Sequence, residues 1–370
     1  MNKKTLFCVM TGLASVSTVS QAADTSKYFS MEADGFKRFS VSVGALHVMP
    51  QGKAQPFKVN TTVDPNESYG VGPISTQAVI DNRDPNSSTG GFANWLVNLI
   101  NGLNPNSELP SFLSGTAQIN GLESWSNPGT GLEAEDVTTL GIMTNYFFTD
   151  NVSFEMKAGI PPKVDLQGKG QIYAPFSAVA SPIVGTINLD NDIFITDLEA
   201  HGAAASARAW TPAFEFQYHF GKTGVNKFRP YVGLGLMYAY FNEVEINPQT
   251  EKDLIKAGHM IANIKDGNAG RALEIAALPP STSVPTNLQS AGSAPIVKVE
   301  ASDAFAPVVT AGFTYDINDK WFAVGSVSYA HLKNDTTITV TNTEHGKLIE
   351  SKADIEINPI LLYAGVGMRF

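Results

Sequence analysis

Cysteine is nearly missing from this sequence. The one thiol, Cys8, falls where Lys3 and Lys4 precede an apolar or small run from Leu6 to Val19, followed by Ser20-Gln21-Ala22. A basic start, a short apolar core and a small-x-small site describe a secretory signal peptide, predicted over residues 1–22. The mature chain then has no cysteine, which excludes thiol catalysis, disulfides and cysteine-based metal sites. Cys8 also sits too early to serve as a lipoprotein anchor. Charge is scarce as well: 16% of residues are charged, against roughly 25% in ordinary soluble domains. Long hydrophobic runs are missing too, and after the signal no stretch approaches the ~18 apolar residues of a spanning helix. The net charge of −10 argues against a nucleic-acid partner. The histidines are scattered singly, without metal-ligand spacing, and no cofactor is expected.

What the chain does have is alternation. A tilted strand of about 10 residues crosses a bilayer, with every second side chain in lipid, and about eight such segments can be read here. Phe214, Phe216, Tyr218 and Phe220 share one face, while Ala213, Glu215, Gln217 and His219 share the other. After the polar turn 221–227, Val232, Leu234, Leu236 and Tyr238 alternate with Tyr231, Gly233, Gly235 and Met237, completing a hairpin. A second hairpin turns at Thr149-Asp150-Asn151 and a third at Asn318-Asp319-Lys320. The first strand runs from Phe39 to Val48, and the last alternates from Ile360 to Phe370. A closing aromatic of this kind resembles the signal by which outer-membrane barrels engage their assembly machinery, so that machinery is an expected partner through Phe370, together with outer-membrane lipid.

The expected fold is therefore all-β: an eight-stranded antiparallel transmembrane β-barrel over residues 23–370, in the outer membrane of a Gram-negative bacterium. Three long connections, roughly 50–132, 169–207 and 243–296, alternate with the short turns, and a fourth near 341–350 reads as short. In bacterial barrels the long loops are extracellular. The first holds Phe92, Trp95, Leu96, Leu99, Ile100 and Leu103 at helical spacing, and the third holds Leu254, Ile255, Ile261 and Ile264, so short helices are predicted in both. The Pro- and Ser-rich stretch from Pro279 to Pro295 is expected to be mobile.

Several blocks resemble the OmpW family of eight-stranded outer-membrane barrels. The most specific is Lys227-Phe228-Arg229-Pro230-Tyr231-Val232-Gly233 followed by Gly235; the others are Thr149-Asp150-Asn151, Ile317-Asn318-Asp319-Lys320-Trp321, and the ending Asn358-Pro359 to Arg369-Phe370. They cover the strands and periplasmic turns, not the long loops, which look larger than is usual for the family. The resemblance implies passage of small hydrophobic compounds across the outer membrane, alkanes in some relatives, or a role in stress and envelope homeostasis.

Sorted by depth, the inward positions fall into two groups. Near the periplasmic end come Glu155, Lys157, Glu215, Gln217, His219, Arg229, Asp316 and Arg369. An eight-stranded interior is just wide enough for side chains to fill, and unpaired charge there is costly, so these groups are expected to pair into a floor that closes the barrel to ions. Higher up, Leu46, Val48, Met143, Met237, Val308, Ala330 and Leu361 are mostly apolar, interrupted by Ser326 and Ser328. Dense packing and a pocket for an apolar guest both fit these residues, and the resemblance favours the pocket. Pro212, Pro307 and Pro359 lie in or beside spanning strands, where proline marks a bulge or a break.

The resulting expectation is passive passage of small hydrophobic solutes through the upper lumen, with lateral exit through a proline-loosened wall. The alternatives are a structural, adhesion or stress-related barrel whose long loops bind a partner, and an outer-membrane lipid enzyme. The enzyme reading needs a nucleophile tied to His201, His259 or His345 at the rim, or to His219 beside Glu215, and no serine stands in evident register with His219. His47 reads as an interfacial residue. No catalytic residue is assigned.

Overall fold

A computed structural model describes residues 32–33, 36–86, 102, 108–183 and 185–370. The expected signal peptide lies outside the described residues, as does the Phe92–Leu103 stretch apart from Gly102.

Eight antiparallel strands form a closed ring: β1 Phe39–Met49, β2 Val137–Phe147, β3 Val152–Gly159, β4 Ala213–His219, β5 Phe228–Ile246, β6 Ala304–Asp316, β7 Trp321–Ala330 and β8 Ile360–Arg369. Each pairs with its neighbours in sequence, and β8 pairs back onto β1 from Ile360↔Met49 to Arg369↔Ser40. Ring closure leaves no edge with unpaired backbone groups, which is what a hydrocarbon environment demands. The predicted alternation holds strand by strand. On β4, Phe214, Phe216 and Tyr218 are exposed while Glu215, Gln217 and His219 are buried. Leu234 is 64% and Phe216 62% exposed, values that are reasonable only if lipid covers this belt. Phenylalanines on neighbouring strands meet on this face, Phe154 stacked on Phe214 at 6.2 Å and Phe228 tilted against Phe313 at 5.3 Å.

The connections differ most from expectation. They are not loops carrying a few helices but a second, β-rich body above the barrel. The second connection leaves the wall at Ile160 and returns at Pro212, wider than the expected 169–207, and its strands Lys163–Lys169 and Ala203–Trp210 carry the wall upward against the top of β5. The fourth is not short. Lys333–Asn342 and Gly346–Glu356 form a long hairpin within a five-stranded sheet that also takes in Ile296–Ala301, Phe57–Thr61 and Ser124–Asn127. The reason is legible in the residues: Thr336, Ile338 and Val340 are β-branched at alternate positions, and Val340 and Leu348 are fully buried.

The predicted third-loop helix forms as α1, Pro248–Lys265, and is followed by α2, Ala269–Ala276. Asn247 caps α1 by accepting from the Gln249 amide, Pro248 occupies the first turn, and Lys265 lies at the C-terminal end. Leu254, Ala257, Ile261 and Ile264 pack into the outer core. Inside this body the Lys256 ammonium lies 3.7 Å from Asp253, both nearly solvent-free, and burial holds its pKa below that of an ordinary lysine. The Pro279–Pro295 stretch is packed rather than free: Val284, Leu288 and Ser290 are buried, Asn263 donates to the Leu288 carbonyl, and Ser290 meets His259 at 2.9 Å. Two apolar anchors and two buried hydrogen bonds outweigh its loop-like composition.

Leu234 lies near the middle of the lipid-facing band of β5 and Ile317 lies at a periplasmic turn. Leu234→Arg is expected to destabilise the barrel in lipid vesicles by about 2–4 kcal/mol, and Ile317→Arg by roughly 0–1 kcal/mol. Equal, small effects in unfolding titrations would place this face in water instead.

Candidate functional site

The lumen is built in three layers. At the periplasmic end, Arg229 of β5 is almost fully buried. Its guanidinium donates to the Asp150 carbonyl, the Thr223 hydroxyl and the Phe220 carbonyl, and lies 3.5 Å from the Asp150 carboxylate. Arg369 of β8 pairs with Asp316 of β6 at 2.5 Å and lies over the Phe322 ring. His219 stacks on Tyr231 and packs against the tilted ring of Phe147, with ring centroids at 4.8 and 5.0 Å. Ser153, which sequence reasoning did not bring to this histidine, lies 3.2 Å from its Nε2. That hydroxyl is fully buried and donates to Asn145, so the pair packs within the floor, with no access to a substrate.

One step higher stands Lys157 of β3. Its ammonium donates to Glu215 at 2.7 Å, Thr310 at 2.8 Å and Ser328 at 3.1 Å, and Glu155 lies 3.3 Å away without hydrogen-bond geometry. Glu155 and Glu215 are directly opposite each other across β3 and β4. Gly233 makes room for this cluster, because a Cβ there would lie 2.6 Å from Glu215 Oε2. All seven expected floor residues, Glu155, Lys157, Glu215, His219, Arg229, Asp316 and Arg369, thus sit inside the lower barrel. They form two charged layers rather than one.

Above Lys157 the character changes. Leu46, Val48, Met143, Met237, Val308 and Leu361 line a cavity of about 160 Å³, and Ala330 is fully buried in the same cluster. The cavity continues into the outer body, where Phe57, Leu132, Leu166 and Ile355 line it. Ser326 and Ser328 border it on β7, but the Ser328 hydroxyl turns down to Lys157 and Thr310.

The wall beside this cavity is interrupted. Pairing of β3 with β4 ends at Lys157↔Ala213 and resumes only at Lys163↔Arg208. Pro161, Pro162 and Pro212 fall in this interval and have no N–H to offer a ladder, and the Ile160 amide bonds sideways to Leu140 of β2. Ala158, Ile160 and Pro212 line the same cavity as the inward Met237 and Leu361. Ala158 stands opposite Ile142 on the outward face, so the cavity touches both faces of the wall here. Pro307 and Pro359 behave differently. Pro307 keeps its place opposite Leu236, with its carbonyl accepting from His331, and the Pro359 carbonyl accepts from Ala330. Sequence reasoning missed Asp150, Asn145 and the Pro161-Pro162 pair. The signal for Asp150 was charge counting, since Lys157 shared by two glutamates leaves Arg229 in need of an acid.

The family model described as the OmpW family matches residues 113–273 and 286–370. The chain is 26% identical, over 244 residues, to outer membrane protein W of Vibrio cholerae serotype O1, covering 66% of this chain and 79% of that protein. Among solved structures it is similar to OprG of Pseudomonas aeruginosa, at 13% identity and a TM-score of 0.44 over 90% of this chain and 95% of that one. It is also similar to AlkL determined in lipid bilayers, at 14% identity and a TM-score of 0.39 over 92% and 93%, and to Escherichia coli outer membrane protein W, at 16% identity and a TM-score of 0.31 over 90% and 97%. With an eight-strand closed ring and a family match over most of its length, this chain belongs to the OmpW family and is an outer-membrane barrel of a Gram-negative bacterium.

Proposed function

We propose that this barrel gives small hydrophobic molecules passive passage from outside into the membrane. The observation that carries the reading is one continuous apolar cavity that ends below on paired charge and opens sideways where the β3–β4 ladder is interrupted. An apolar guest moving down the cavity meets Lys157 and Glu215, whose desolvation it cannot compensate. The interval from Ala158 to Pro162, facing Trp210 to Pro212, offers it lipid instead. The lateral route therefore centres on Pro212 with Pro161 and Pro162. Pro307 and Pro359, candidates by sequence, sit where backbone pairing is intact.

Uptake of a long-chain apolar fluorophore into proteoliposomes tests this. Ala158→Trp, which fills the wall from the lipid side, is expected to lower uptake several-fold, while Pro307→Val leaves it unchanged. Equal uptake by wild type and Ala158→Trp would remove the lateral route, and a large ohmic single-channel conductance would remove the sealed floor. The floor itself is tested by Lys157→Met, which strands two buried carboxylates and is expected to cost about 3–5 kcal/mol. Adding Glu155→Gln and Glu215→Gln should recover much of that loss in detergent unfolding experiments.

A further inference from the structure

We propose that the outer body holds a second ligand site, a cavity of about 360 Å³ that takes a plain hydrocarbon. It shares no lining residue with the lumen cavity. One wall is a sheet face from the strands Thr116–Asn120, Ser177–Ser181 and Ile187–Asp190, and α1 and α2 form the other. The space follows from side-chain size. Where sheet and helices face each other the sequence supplies Ala117, Ala178, Ala180, Ala269 and Ala272, which leave the gap between them unfilled. Protein interiors ordinarily keep few voids larger than a water molecule. This one is held open by its frame. The Gly270 amide at the start of α2 donates to the Val71 carbonyl at 2.7 Å, and the Val71 amide to the Gly115 carbonyl at 3.0 Å. A Cβ on Gly270 would lie 2.6 Å from the Ile74 side chain, so α2 is already at its closest approach there.

The lining decides the chemistry. Ser114 is the one polar side chain among the described lining residues, and its hydroxyl donates to the Gly72 carbonyl at 2.5 Å. A water molecule needs about 2–4 polar partners, and a charged or hydrogen-bonding group would go unsatisfied here. A hydrocarbon loses nothing on entry and restores the dispersion contacts that an empty void forfeits. The volume is more than twice the roughly 150 Å³ that admits benzene, and it falls within the roughly 300–1,000 Å³ of small-molecule sites.

An apolar rim at the surface is the second, independent observation. Leu113 and Ile183 line the cavity and are also exposed, Ile183 by 65%, and Phe112, beside Leu113 in the short helix Ser111–Ser114, is 69% exposed. The Ile183 amide donates to the Leu113 carbonyl at 3.4 Å, which brings the two segments together at this point. Large apolar side chains clustered at a surface mark a binding region, and here they lead into the lining without an intervening polar layer. The core that lines this cavity also supplies Phe57, Leu132 and Leu198 to the lumen cavity, so both sites border one hydrophobic interior.

The test uses the full mature protein in lipid nanodiscs, with carbon-13 on the methionine methyl groups and naphthalene as the probe. Met260 lines this cavity while Met143 and Met237 line the lumen, so each site has its own reporter. The Met260 signal is expected to shift saturably with naphthalene through the ring current. Naphthalene-2-sulfonate, the same ring with a charge, should leave it unmoved at the same concentrations. Ala272→Leu fills the space from α2 and should abolish the Met260 shift while Met143 and Met237 respond as in the unmutated protein. Ala180→Leu fills it from the sheet and carries the test if the helix variant does not fold. A Met260 signal that ignores naphthalene, whether the space has closed or another segment of this chain occupies it, would overturn the site. So would a shift that survives both substitutions, or an equal response to the sulfonate. The readout is occupancy rather than transport, so its failure leaves the passage reading standing, and failed uptake leaves this site standing.

Discussion

The constraint on which this structure depends is that hydrocarbon offers no hydrogen bond. Every backbone N–H and C=O within the membrane must find its partner inside the wall, and the pairing of β8 onto β1 completes the ring. Once the ring is closed, the period of two sends half of each strand to lipid and half to a lumen too narrow for bulk water. The outer half needs only to be apolar, which Leu234, Phe216 and Val309 supply. The inner half carries all the chemistry, because whatever is placed there must satisfy itself from the opposite strands. This is why Lys157 reaches across to Thr310 and Ser328 as well as along the wall to Glu215.

The same constraint explains why the break in the ladder lies where it does. An interruption in the middle of the membrane would strand backbone groups in lipid. Between β3 and β4 it falls instead at the top of the barrel, where Ile160 can turn to Leu140, Ala209 donates to the Pro162 carbonyl, and Tyr238 of β5 donates to the Pro212 carbonyl. Three prolines there remove three donors that would otherwise need partners. The wall then resumes as Lys163–Lys169 and Ala203–Trp210, so the interruption is bounded by paired strands below and above rather than being a frayed end.

The barrel was legible in the sequence because its signal is local: two residues of alternation suffice to assign a face, and eight such segments close a ring. The lumen was legible in part for the same reason, since an inward position can be read from its neighbours. What escaped is what depends on pairs distant in the chain. Asp150 reads as a turn residue until Arg229 folds over it, and Ser153 meets His219 only through the β3–β4 register. The outer body escaped for a different reason. Its strands do not face lipid, so they carry no aromatic stripe, and a run such as Lys333–Asn342 is polar enough to pass for a loop. Only the Thr-Ile-Val alternation within it marks a strand whose inner face is covered by another sheet.

The vertical order of the layers follows from what each end is attached to. At the periplasmic end the connections are short turns, so nothing but barrel side chains can close the lumen, and closure by charge needs donors and acceptors fixed on rigid strands. Arg229, held by three main-chain or hydroxyl acceptors, and Arg369, clamped between Asp316 and the Phe322 ring, provide that rigidity. At the other end the lumen meets a second folded body with its own hydrophobic core, and contact between two apolar interiors costs nothing in lost hydration. An apolar upper lumen is therefore what continuity with the outer core requires, and the charged layer is where that continuity has to stop. The position of Lys157, below Met237 and Leu361, sets the depth at which the apolar lining gives way to charge, and that depth lies just beneath the break in the β3–β4 ladder.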